Sequence, residues 1–72
     1  MELLQVNKKT FKELDTIALT HDIVEHKLKK GSIGAIVHVY EDGEAFEVEF
    51  INSKGKTIAL LTLESSDLAK TS

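Results

Sequence analysis

The stretch that decides the fold is SIGAIVHVYEDGEAFEVEFI, residues 32–51. Its second half alternates cleanly. Phe46, Val48 and Phe50 fall on one side of an extended chain, and Ala45, Glu47 and Glu49 fall on the other. The first half also repeats every second residue, but both of its rows are apolar. Ile33, Ala35, Val37 and Val39 form one row; Gly34, Ile36, His38 and Tyr40 form the other. Two largely apolar, β-branched rows are the mark of a central strand. Between the halves stands Asp42-Gly43, a dipeptide suited to closing a tight hairpin.

A second turn, NSKGK, leads from there into TIALLTL, in which Ile58, Leu60 and Thr62 oppose Ala59, Leu61 and Leu63. Three strands joined by two short turns make an antiparallel meander. Upstream, DTIAL reads as a short strand, and the residues between it and Gly31 read as a long polar loop. Downstream, ESSDL reads as a single helical turn. Ser65 or Ser66 is placed to cap it, with Asp67 near its positive end. A last short strand follows over Ala69 to Thr71. In the first 14 residues, Leu3, Leu4 and Val6 suit an added edge strand. Equally, KKTFKEL can begin a short helix with Phe11 and Leu14 on one face.

The expected fold is therefore all-β: a small SH3-like barrel of about five antiparallel strands with one short helical turn near the C-terminus. It is a single domain over residues 1–72, with 1–14 as an N-terminal extension. The expected core is Ile17, Leu19, Leu28, Ile33, Val37, Phe46, Val48, Phe50, Ile58, Leu60 and Leu68. That choice leaves Ile36, Tyr40, Leu61 and Leu63 needing a cover. Either the N-terminal segment supplies it through Leu3, Leu4 and Phe11, or a second chain does.

Composition narrows the function. A 72-residue chain has room for one core, and it has no Cys for disulfides or a thiolate zinc site. Asp and Glu number 12 against nine cations, all Lys, for a net charge of −3. An acidic chain without Arg argues against nucleic acid, because phosphate and base recognition lean on basic residues and on the Arg fork. The opening MELLQVNKKTF lacks the basic start and long apolar run of a signal peptide, and no stretch suits a membrane span. A cytoplasmic protein without cofactor is the plain expectation.

Four groups able to bind metal or move protons, His21, Asp22, Glu25 and His26, fall within six residues. The two His are five apart, whereas a zinc-binding helix places them at i and i+4. On a helix, five residues turn by about 500°, so the rings would not share a face. The group reads as a polar loop bordering a groove, with a metal site at His21 and His26 as an alternative. His38, mid-strand, reads as a half-buried or interface histidine able to make a contact pH-sensitive. Glu47 and Glu49 share a strand face near Glu41 and Glu44. They suit a solvated surface or an acidic contact for a basic partner better than paired-carboxylate chemistry, which needs an enclosed pocket. Lys27, Lys29 and Lys30 form a local basic knot that lacks aromatics for stacking on bases.

The segments LDTIALTHDI, LKKGSIGAIVHVYEDGEAFEVEF and GKTIALLTL resemble the small bacterial domain-of-unknown-function family 4926. The Gly31-to-Val37 step is similar to KOW-type and other SH3-like barrels. The resemblance implies a barrel, brings no functional residues with it, and implies proximity to toxin-like or effector-like genes. The functional expectation is a non-enzymatic protein-binding module, the antitoxin or immunity-type partner of a basic protein. Tyr40, Glu47, Glu49 and Leu61 are its expected contact surface. A KOW-like RNA or ribosome contact through Lys27, Lys29 and Lys30 is the alternative, and a homodimer stays open.

Overall fold

The computed structural model of the chain describes residues 11–71. Five strands run β1 (Thr16–Leu19), β2 (Ile33–Val39), β3 (Ala45–Ile51), β4 (Thr57–Glu64) and β5 (Leu68–Lys70). All neighbours are antiparallel, in the order β4-β3-β2-β1-β5. Single 3-10 turns lie at Val24–His26 and, between β4 and β5, at Ser65–Asp67. The chain is a small all-β protein whose strands and late helical turn stand where the sequence pattern puts them, except that β5 runs one residue earlier than the expected Ala69 to Thr71.

One apolar cluster draws on every strand: Ile17 and Leu19, Ile36, the Phe46-Val48-Phe50 row, Ala59 and Leu63, and Leu68. Phe11 and Leu28 join it from the flanking segments. Ile17, Ile36 and Val48 are fully buried, yet no second sheet or long helix covers them among the described residues. The sheet must therefore curl over its own inner face. The Phe11 ring stands edge-on to Phe46 at 5.5 Å, with the Lys70 ammonium 5.2 Å from its centre.

Four expected core residues are on the other side. Ile33, Val37, Ile58 and Leu60 are between 42% and 54% exposed, while Ile36, Ala59 and Leu63 are buried in their place. Gly34 explains the phase of β2. A Cβ there would lie 2.8 Å from Phe50 Cε1 and 2.9 Å from Val48 Cγ1, so the inner row has room only for glycine. With Gly34 and Ile36 inward, Ile33 turns out. Two bulges then repeat the effect. Ile36 pairs with Val48 and His38 with Glu47, so Val37 is an extra residue and both Val37 and His38 face outward. Phe50 pairs with Ala59 and Ile51 with Thr57, which leaves Ile58 as the extra residue on β4.

The local devices differ in detail from those expected. The first hairpin closes by a Tyr40–Ala45 backbone bond of 3.0 Å, wider than a two-residue turn. Gly43 takes φ +72°, and Asp42 Oδ1 accepts the Glu44 N–H at 2.8 Å. The Ser65–Asp67 turn is not capped by Ser65 or Ser66. The Asp67 carboxylate reaches back and accepts the Glu64 N–H at 2.8 Å, as a carboxylate at a third helical position can. Phe11 and Leu14 do not share a helical face: Lys12–Asp15 is a turn, Phe11 is buried, and Leu14 is 85% exposed at φ +74°. The edge strand expected from Leu3, Leu4 and Val6 lies outside the described residues, as does most of the expected N-terminal cover.

Candidate functional site

The curled sheet leaves the outer face of β2, β3 and β4 open. Its apolar members are Ile33, Val37, Tyr40, Ile51, Ile58 and Leu60. The two carboxylates expected to lie there do so, because the clean alternation of β3 sends Phe46, Val48 and Phe50 inward and Glu47 and Glu49 outward. The Tyr40 hydroxyl donates to Glu47 Oε1 at 3.0 Å, and Thr62 Oγ1 donates to the same oxygen at 2.7 Å. Thr57 Oγ1 donates to Glu49 Oε2. Hydroxyls thus fix both carboxylates, and neither makes an ion pair among the described residues. The bond to Glu47 is the main reason that the Tyr40 phenol is raised above its ordinary value; burial and the Glu47 charge act the same way, against Thr62.

Leu61, expected beside these residues, pairs with Val48 and packs half-buried against the core. Leu60 stands on the outer face instead, directly across from Glu49. His38 is exposed rather than half-buried. It meets Tyr40 edge-on at 4.7 Å, and its Nδ1 lies 3.9 Å from Glu13 Oε2.

The loop between β1 and β2 is a built element. Ile23 and Leu28 exchange backbone bonds of 2.8 and 3.1 Å around the Val24–His26 turn, and Lys27 closes it at φ +59°. Asp22 Oδ1 accepts the Lys30 N–H at 2.8 Å. Glu25 and His26 are exposed on the turn, so the structure does not gather the four polar groups of this loop into one site. Among the described residues no three His, Asp or Glu side chains converge as a metal ion requires.

His21 instead reaches across the fold. Its Nε2 lies 2.8 Å from Asp67 Oδ1, and its Nδ1 lies 2.9 Å from the Asp22 carbonyl oxygen. Both partners are acceptors, and a neutral imidazole has a single N–H, so only the imidazolium satisfies both. The bond to Asp67, then the bond to Asp22 and the charges of both carboxylates, raise His21 above 6.5 against a smaller desolvation. Burial pulls Asp67 upward, but the Glu64 N–H and His21 outweigh it, and its carboxyl ends below its ordinary value. Thr20 adds a hydroxyl bond to the Ser66 carbonyl at 2.8 Å and a backbone bond to Asp67 at 3.0 Å. Together these pin the β1–β2 loop to the Ser65–Asp67 turn.

Residue reading missed Asp67 as a partner of His21, since 46 positions separate them and no local pattern links them. It does expect an outer apolar row, but of Ile36, Tyr40, Leu61 and Leu63, of which only Tyr40 is exposed; Gly34 is the available signal for the inversion on β2. Among the described residues no helix is long and apolar enough to cross a membrane. No curated protein and no solved structure matches the chain. A family model does match, over residues 13–70, and the chain belongs to that family, described as Domain of unknown function (DUF4926).

Proposed function

We propose that this chain is a non-enzymatic protein-binding module, and that it docks its partner on the outer face of β2, β3 and β4. The observation that carries this reading is the row of six large apolar side chains there, between 40% and 54% exposed. Apolar residues grouped on a small protein mark an interaction surface, because leaving them in water costs free energy that a partner recovers. Among the described residues Glu47 and Glu49 sit within the row without a cation, which favours a basic partner. An antitoxin or immunity-type role toward a basic protein fits that chemistry.

The test is a pull-down from native lysate at moderate salt with the wild type and with the double variant Glu47→Lys/Glu49→Lys. One stoichiometric protein should be retained by the wild type and lost by the variant, while the circular dichroism of the two stays the same. The same partner held equally by both would move the contact to another surface. Nucleic acid in the eluate, released steeply as salt rises, would shift the reading to Lys27, Lys29 and Lys30.

A further inference from the structure

At one end of the outer face lies an open hollow of about 180 Å³, lined by Thr16, Ile33, Gly34, Ala35, Glu49 and Ile51. The strand register builds it. Thr16, Ala35 and Glu49 lie side by side across β1, β2 and β3, so the smallest side chain of the three forms the floor and the other two form the walls. Ile33 and Ile51, each 53% exposed, make the apolar rim. Thr57 holds Glu49 Oε2, and no bond within the described residues occupies Oε1. The hollow therefore combines apolar walls with one free, pre-oriented carboxylate oxygen.

We infer that this hollow takes a lysine side chain from the docked partner, with the aliphatic stem against Ile33, Ala35 and Ile51 and the ammonium on Glu49 Oε1. The inference rests on the outer face being the docking surface and names what the partner must present. Lysine suits the hollow better than arginine for a geometric reason. A guanidinium gains its advantage by gripping both oxygens of a carboxylate, and here Thr57 already uses one. An ammonium is a point charge that needs only one oxygen. A long stem with a charged end also matches an apolar hollow with its carboxylate at one side.

The test uses small probes on the intact chain, followed by the amide shifts of Ile33, Ala35, Glu49 and Ile51 in two-dimensional NMR. n-Butylammonium stands for lysine, n-propylguanidinium for arginine, and n-butanol for the stem alone. Butylammonium should shift these amides saturably at millimolar concentration, and both other probes should bind more weakly. Glu49→Gln, which keeps an acceptor for Thr57 and removes the charge, should weaken butylammonium roughly three- to fivefold. Ala35→Ile, which fills the floor, should abolish the shifts while core amides keep theirs. Shifts that never saturate, that survive Glu49→Gln unchanged, or that butanol reproduces would overturn the hollow. Failure here alongside a partner lost on Glu47→Lys/Glu49→Lys would overturn the lysine assignment and leave the docking face standing. Saturable amine binding with no such partner would do the reverse.

Discussion

The inner and outer faces of one sheet carry similar side chains and meet opposite fates. Inside, Ile17, Ile36, Phe46, Val48 and Phe50 are almost wholly buried; outside, Ile33, Val37, Ile51 and Leu60 stay in water. Isoleucine and valine occur in both sets, so hydrophobicity does not choose between them. Space does. Gly34 lets the Phe50 ring lie against β2, and that fixes which row of β2 turns in. The bulges at Val37 and Ile58 then add outward-facing residues where strict alternation would have returned them to the core. The difference teaches that a two-faced apolar strand is oriented by its smallest residue as much as by its largest.

Truncation on each face is the sharpest way to break this contrast. Phe50→Ala should cost about 3–5 kcal/mol, a large part of the roughly 4–11 kcal/mol expected for a chain of this size. Leu60→Ala should stay within about 0.5 kcal/mol, because its side chain is already half in water. Urea unfolding followed by circular dichroism measures both, and a cost for Leu60→Ala near that of Phe50→Ala would mean that the outer row is covered within the chain. Gly34→Ala comes next in size. The added methyl collides with a ring carbon and a valine methyl, neither of which is a flexible end, and such overpacking costs about 1–3 kcal/mol. The opposite substitution pattern on the outer row, Ala35→Gly, should cost about 1 kcal/mol or less, since it removes only strand preference. Equal losses at positions 34 and 35 would show that Gly34 does not set the phase.

How much of this was legible beforehand follows from the same physics. β3 could be read residue by residue, because charged and aromatic rows separate by period two and leave one arrangement. The strand positions and the late turn were legible for the same reason, with Gly31, Gly43 and Gly55 marking the breaks. On β2 and β4 both rows are apolar, so alternation located the strands without saying which way they faced. The bulges have no local signature, and the sequence puts Ile33 and Val37 in the core where the structure has Gly34 and Ile36. On the outer face, period two turns Glu47 and Glu49 outward as in the structure, whereas the inversion on β4 puts Leu61 where Leu60 stands. The His21–Asp67 contact depends on how β1 and β5 pair, and register between distant strands is set by the whole core rather than by either segment.

A smaller effect than either face should come from the pin across the sheet's end. His21 titrates above 6.5 in the folded chain and near 6.5 in the unfolded one, so its contribution is fully present below that value and is lost as pH rises through the folded value. Asp67 runs the other way. Its folded value lies below 3.8, so its contribution is present above that value and is lost as pH falls through the folded one. The pin is therefore whole between about 4 and 6.5 and weakens on the alkaline side, where the neutral imidazole must give up one of its two bonds. Asp67→Asn keeps an oxygen for the Glu64 N–H and removes the charge. It should lower the His21 value measured by NMR toward 6.5 and should flatten the alkaline decline in the urea midpoint. A His21 value that does not move would mean that Asp67 does not hold the imidazolium in solution. Among the described residues, the β1–β2 loop would then be tied to the Ser65–Asp67 turn by the two Thr20 bonds, which do not titrate.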